Sequence, residues 1–345
     1  MANTISQLYV IGNGFDMHHG INSSYFEYRM WLKDNYEDLY WKIVNLFYVD
    51  DESNESIALL ENRQHPWWKC FEKSLGNLDL AEIVDNCVFN NYPDISSDEF
   101  RDRDYHAAEI DAELQLGKLV DDIKSTFEEW ICSLNAPDIS KKIFLFKRNS
   151  LFISFNYTDT LEKLYSIPTE SICYIHGKAN NDEELVVGHN KLWEDLMENA
   201  DNTPIPPESC DTPEELEEWY STYGDFITDQ TRDVAVREYL KLAKNPSKVI
   251  SDKQWMFDNL DNIMKIHIYG FSFSDVDIPY IKYINSKISP QALWEISYYS
   301  ESEKEDFLKI MQSLNVQLEK VSFVKLKDLM LSNLLQLSLD FKNEQ

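Results

Sequence analysis

Cysteine is scarce in this chain: five in 345 residues, at Cys70, Cys87, Cys132, Cys173 and Cys210, with no Cys-x-x-Cys pair. An odd, scattered set argues against a disulfide framework and against a cysteine-based zinc site; it reads as reduced thiols in a cytoplasmic protein. Long apolar runs are missing too. No stretch approaches the roughly 18 uncharged apolar residues of a membrane span. The start, Met-Ala-Asn-Thr-Ile-Ser-Gln, has no basic region leading into an apolar segment, so no secretory signal is expected. Positive charge is short: 32 Lys and Arg against 61 Asp and Glu give a formal net charge of −29. That balance argues against grip on a nucleic-acid backbone, which needs clustered Lys and Arg. It leaves room for one small anionic ligand held by backbone N–H groups and a local cation. Otherwise the acidity serves solubility. There is no His-x-x-x-His, His-Glu-x-x-His, Gly-x-Ser-x-Gly or Walker A pattern, which disfavours a metal centre, an activated-serine hydrolase and an NTPase. Internal repeats and low-complexity tracts are also lacking.

What is present is an ordered globular composition, 43% hydrophobic and 13% aromatic, with length for one or two domains. Four short apolar runs end abruptly in polar or glycine-rich turns. Residues 8–11 lead into Gly12-Asn13-Gly14-Phe15-Asp16, and 151–155 into Asn156-Tyr157-Thr158. Residues 172–175 lead into His176-Gly177, and 266–269 into Gly270-Phe271-Ser272-Phe273-Ser274-Asp275. Their length and β-branched or aromatic content predict buried strands. Further strands are expected at 293–299 and 321–325, and a short strand and turn at 186–190.

Between the strands the pattern is helical. Ser23 or Ser24 caps a helix beginning near Tyr25, with Glu27 at or near the capping-box position. Leu116, Leu119, Ile123, Phe127, Trp130 and Ile131 recur at helical spacing. Asp159-Thr160-Leu161-Glu162 predicts a helix start, and strand–helix–strand is the unit of a parallel sheet. Thr212-Pro213-Glu214-Glu215 is a second capping box, and Ile278-Pro279 opens another helix. The expectation is one doubly wound, mainly parallel Rossmann-like α/β domain over 1–345, with helical insertions at about 35–148 and 191–262. The alternative is a first insertion that folds alone.

In open α/β sheets ligands sit past the carboxyl ends of the strands, and that places the candidate residues. Gly12-Asn13-Gly14 permits close backbone approach to a phosphate, or is simply a tight turn. Met17 stands where the dinucleotide fingerprint wants Gly or Ala. Asp16 accepts from a ribose hydroxyl or caps a helix. The neutral Asn156 amide orients a water or a sugar hydroxyl, or ends a turn. His176 suits general acid–base work, or is structural. Asn156 and His176 end two strands joined by one helix, so they should be neighbours at one rim. Lys178 offsets ligand charge or is merely exposed. His18, His19 and His189 are weaker candidates. The 272–277 turn, with Ser272 and Asp275, holds ribose hydroxyls or caps the next helix.

Taken in order, Leu-Tyr-Val-Ile-Gly-Asn-Gly-Phe-Asp, Ser-Phe-Asn-Tyr-Thr-Asp-Thr-Leu-Glu, Tyr-Ile-His-Gly-Lys and Ile-Tyr-Gly-Phe-Ser-Phe-Ser-Asp-Val-Asp-Ile-Pro-Tyr resemble the AbiH family of bacterial phage abortive-infection proteins. That family in turn is similar to the sirtuin-like Rossmann domains that bind NAD, several of which hydrolyse NAD in antiphage systems. The resemblance implies a catalytic Asn and His at Asn156 and His176. It implies a nucleotide-holding turn at Gly12, Asn13, Gly14, Phe15 and Asp16, and a late nucleotide contact at Gly270 and Ser272, with Asp275 in the same turn. NAD is the implied substrate or ligand, with no further cofactor and no metal. The four-cysteine zinc module of sirtuin deacylases is absent, which removes support for action on acyl-lysine peptides. A second copy of the chain or another protein is the partner envisaged for the acidic insertions.

Overall fold

The computed structural model describes residues 5–47, 70–143, 146–147, 149–179, 184–203, 206–207, 210, 212–223 and 225–330. Positions 48–69 of the first expected insertion, and 204–205, 208–209 and 211 of the second, lie outside them.

Six strands form one sheet: β1 (Gln7–Ile11), β2 (Ser150–Ser154), β3 (Ile172–Tyr174), β4 (Lys265–Tyr269), β5 (Leu293–Ser297) and β6 (Val321–Val324). Their order is β3-β2-β1-β4-β5-β6, and every neighbouring pair is parallel. Parallel strands covered on both faces read as continuous apolar runs, which is why these segments stood out. The order is that of the doubly wound dinucleotide-binding fold. The 186–190 segment is not a strand. It makes one parallel bridge, His189 to Ala243, beside Gly188, where an added Cβ would stand 1.6 Å from the Leu242 carbonyl oxygen.

Alternation along the strands sorts the side chains into two cores. Leu8, Val10, Ile153, Ile175, Ile266, Ile268 and Ile296 pack against Tyr280, Ile284, Phe307 and Met311 of the helices Ile278–Lys287 and Glu301–Ser313. Tyr9, Ile11, Phe152, Tyr174 and Tyr269 pack against Phe15 of the short helix Asn13–His18, and against Leu161, Leu164 and Tyr165. After β1 the chain therefore leaves toward one face, and after β4 toward the other. The switch point of the sheet lies between β1 and β4, where open sheets of this kind take their ligands.

A third core belongs to the insertions, and they share it. The helix Ala107–Ser133 buries Leu116, Leu119, Ile123 and Phe127; the helix Phe226–Leu240 buries Ala235, Val236 and Tyr239; all lie in one cluster with Ile83, Val84 and Leu80 of Leu80–Asn91. The first insertion thus folds together with the second. The layer begins earlier than residue 35, since Tyr28 and Leu32 of the helix Tyr25–Asn35 are in its core. The stretch Pro246–Phe257 leaves it, because Val249, Met256 and Phe257 join the sheet-face core instead.

Local start signals behave as side-chain chemistry requires. Ser24 Oγ accepts the Glu27 N–H at 3.3 Å. Thr212 Oγ1 accepts the Glu215 N–H at 3.2 Å while Glu215 Oε2 accepts the Thr212 N–H at 3.1 Å, a complete capping box. Asp159 occupies the cap position of the helix Thr160–Tyr165, but its carboxylate pairs with Lys163 at 3.1 Å rather than with the backbone.

Candidate functional site

The β2–β3 register pairs Ser154 with Tyr174, and continuing it sets Asn156 level with His176. Both are buried just past their strands. They serve two different clusters.

His176 faces the helical layer. Its Nε2 lies 3.1 Å from Asp277 Oδ1 and 3.1 Å from Lys244 Nζ. Lys244 also bonds Glu72 Oε2 at 2.8 Å and approaches Asp277 Oδ1 at 3.4 Å. Tyr157 Oη sits 3.3 Å from Glu72 Oε1 and 3.0 Å from the Val186 carbonyl. His176 Nδ1 is buried without a hydrogen-bond partner. Asp277 is the residue before the helix Ile278–Lys287, Glu72 lies in the helix Phe71–Leu75, and Lys244 follows the helix Phe226–Leu240. Burial and the Lys244 charge pull the His176 pKa down. Burial opposes charge on Asp277, but Lys244 and His176 hold its carboxyl below the usual range. Burial likewise opposes the Lys244 charge, but Asp277 and Glu72 hold its ammonium above its ordinary value. The surroundings therefore favour the charged forms of Lys244 and Asp277 and the neutral form of His176.

Asn156 faces the other cluster. Asp16 accepts from Thr158 Oγ1 at 2.5 Å and from Thr160 Oγ1 at 2.8 Å. The Asn156 amide is close enough to help hold Asp16 ionised, yet both its side-chain atoms lack a partner of normal hydrogen-bonding geometry. Unpartnered buried amides are rare and call for an explanation such as a ligand. Thr158, Thr160, Tyr157, Lys163 and Asn135 line a cavity of about 150 Å³ beside this cluster.

Burial pushes the Asp16 carboxyl up to about 6, against the pull of its two threonine bonds. Its folded pKa is then above the unfolded value, so the folded state binds this proton more tightly and stability falls as pH rises from about 4 to 6. At about 1.4 kcal/mol per pKa unit, the full effect is about 3 kcal/mol. Urea unfolding of the wild type and of Asp16→Asn at pH 4.5 and 7 checks this. The wild type should lose about 2 kcal/mol more than the variant between those pH values, and parallel pH slopes would refute it.

The glycine turn is a brace. Gly14 N–H bonds the Gly270 carbonyl at 2.7 Å, Gly12 N–H the Tyr269 carbonyl at 3.0 Å, and Phe15 N–H the Gly12 carbonyl at 2.9 Å. None of these three N–H groups is open to a phosphate in this conformation. A Cβ on Gly12 would lie 2.6 Å from the Phe271 Cα, and one on Gly14 2.9 Å from the Gly270 Cα. The glycines let the β1 and β4 turns touch backbone to backbone. Asn13 holds Ser23 through two bonds, 2.8 Å to its carbonyl and 2.5 Å from its hydroxyl, and Phe15 is a core side chain. Ser272 is exposed. Asp275 pairs with Lys73, a second link between sheet and helical layer. The next helix has Asp277 at its cap position without a side-chain cap bond; the Ser274 carbonyl accepts the Asp277 N–H at 2.8 Å and the Ile278 N–H at 3.0 Å.

The remaining candidates have local roles. Lys178 bonds Glu162 at 2.9 Å. His18 Nε2 contacts the Lys141 carbonyl at 3.0 Å, and His19 bridges Tyr165 Oη and the Phe15 carbonyl, both at 2.7 Å, with burial lowering its pKa to about 4. His189 stacks on Tyr239. Nothing in the sequence marks Glu72 or Lys244, and Asp277 enters there only as the last position of the 272–277 turn. Among the described residues no group of three or more His, Cys, Asp or Glu is placed to hold a metal ion, and no helix is long and apolar enough to cross a membrane.

The two clusters gather residues from positions 16 to 277. No curated protein and no solved structure matches the chain. The family model described as bacteriophage abortive infection AbiH matches residues 8–298, from β1 through β5. The chain belongs to the AbiH family of bacteriophage abortive infection proteins.

Proposed function

We propose that this abortive-infection protein hydrolyses NAD at its nicotinamide–ribose bond, with His176 as base and Asn156 as the group that orients water or ribose. One observation carries the reading: a buried imidazole anchored at Nε2 by a carboxylate, with Nδ1 unpartnered, and a buried amide without a partner of normal hydrogen-bonding geometry both stand just past the carboxyl ends of neighbouring parallel strands. Giving the Nε2 proton to the Asp277 bond avoids setting two lone pairs against each other at 3.1 Å and leaves Nδ1 as a bare acceptor; the Lys244 ammonium, also 3.1 Å from Nε2, then turns its protons to Glu72 and Asp277. Anchoring one ring nitrogen to a carboxylate is how a histidine base is held in the working tautomer. In the reaction, water adds to the ribose C1′ as the C–N bond breaks through an oxocarbenium-like state. The bond's electron pair neutralises the pyridinium, nicotinamide leaves uncharged, and the water proton goes to Nδ1. The Rossmann-like strand order supports a nucleotide at the carboxyl edge.

Loss of NAD measured with wild type, Asn156→Ala and His176→Ala tests this. Each variant should turn over at least about 100-fold more slowly, the usual scale for a lost acid–base or positioning group. Equal rates in all three would sink the assignment. The burial of His176, 2% exposed, favours a second reading, a sensor that holds a nucleotide without cutting it. NAD-dependent thermal stabilisation with no product would select that reading.

A further inference from the structure

The helical layer meets the carboxyl edge of the sheet through a buried ion pair, and that pair touches the base. We infer that Lys244, anchored by Glu72, is a positioning residue for His176: it keeps Asp277 as the acceptor of the Nε2 proton and leaves Nδ1 the basic nitrogen. The inference rests on the proposed role of His176.

Geometry carries it. The shortest contact of Lys244 Nζ is to Glu72 Oε2, 2.8 Å. From there the ammonium lies beside the His176–Asp277 bond, 3.1 Å from Nε2 and 3.4 Å from Oδ1. The side chains of Lys244, His176 and Glu72 are 1%, 2% and 8% exposed, so water screens these charges little. An ammonium there stabilises the Asp277 carboxylate, which therefore accepts the ring proton instead of carrying its own. The same charge opposes a second proton on the ring, so the imidazole stays a neutral base. Among the described residues the other titratable groups facing this pair are Tyr157 and Tyr280, whose rings lie 6.0 and 5.8 Å from the imidazole, and Tyr25 beside Glu72 and Asp277. Burial raises the pKa of all three hydroxyls, so they remain neutral and add no charge. Both halves of the anchor come from the insertions, Glu72 from the first and Lys244 from the second. The helical layer thus completes the site.

The test is the titration of His176 in the full-length chain labelled with ¹⁵N-histidine, its signals identified by their loss in His176→Gln. The wild-type ring should be neutral at pH 7 and protonated at Nε2. In Lys244→Gln the titration midpoint should rise by about one unit, a tenfold gain in proton affinity. In Glu72→Gln, which leaves the ammonium uncompensated, it should fall. The acid limb of NAD cleavage should move in the same directions. If Lys244→Gln does not fold, Glu72→Gln decides alone. A midpoint unmoved by these substitutions, or a wild-type ring protonated at Nδ1, would overturn the inference. Because the titration needs no turnover, it still reads out if the wild type never cleaves NAD, which would overturn the proposed function instead. NAD cleavage with an unmoved titration would remove only the role of Lys244.

Discussion

Lys244→Met is expected to cost about 3–5 kcal/mol of folding stability at pH 7. Methionine fills similar space, so the loss is not a cavity effect. It is the isolation of charge. Lys244 is fully buried between Glu72 and Asp277. Removing its ammonium leaves two carboxylates in a site where a charge without a partner is strongly unfavourable. A second ion pair between the helical layer and the sheet edge, Lys73 with Asp275, cannot compensate. Its side chains are 56% and 61% exposed, and exposed pairs contribute about 0–1 kcal/mol. The contrast says which contact holds the layer down. The deficit should shrink in acid. In the wild type the folded Asp277 pKa lies below its unfolded value, so its stabilising contribution exists above the unfolded pKa and is lost as pH falls through the folded one. In the variant the stranded carboxylates can take protons and become neutral. Urea unfolding at pH 7 and pH 4.5 measures both effects. A loss below about 1 kcal/mol at pH 7 would place Lys244 outside the balance that holds the layer.

That result would concern residues the sequence did not mark. The strands were legible because a parallel sheet buried on both faces needs unbroken apolar runs, and β1, β2 and β4 supply them. Capping was legible because it is local: Thr212 and Glu215 satisfy each other's backbone within four residues. Asn156 and His176 could be set side by side because a strand–helix–strand unit makes adjacent parallel strands. Their division between two clusters could not be foreseen, since it depends on which way the chain turns after the last ladder bond. Glu72 and Lys244 stand 172 positions apart, in segments whose apolar stripes say that they are buried but not against what. A glutamate beside Phe71 on a five-residue helix looks like any solvated carboxylate. The Gly12-Asn13-Gly14 turn is the ambiguous case. Glycine was required there because another backbone comes close, and the sequence does not tell whether that neighbour is a phosphate or Gly270.

Gly270→Ala and Gly117→Ala should therefore move stability in opposite directions. At Gly270 the backbone is left-handed, φ +65°, and a Cβ would stand 2.0 Å from the Phe15 nitrogen and 2.4 Å from the Gly14 carbonyl carbon. These are backbone atoms of the β1 turn, so no rotamer change relieves the clash. A left-handed alanine costs about 1–2 kcal/mol, and overpacking a tight contact about 1–3 more. Alanine at 270 should thus destabilise the fold by about 2–5 kcal/mol. It should do so by parting β1 from β4 at the switch point, where the Gly14 N–H to Gly270 carbonyl bond of 2.7 Å now holds the two turns together. Gly117 lies inside the helix Ala107–Ser133, and the nearest atom to an added Cβ is Glu238 Oε2 at 3.4 Å, an ordinary contact. There alanine only removes the conformational cost of a helical glycine and should stabilise by about 0.5–1 kcal/mol. Thermal unfolding of the two variants beside the wild type reads both signs at once. A neutral Gly270→Ala would mean that the two turns are not in contact, and the glycine turn would again be open to a phosphate.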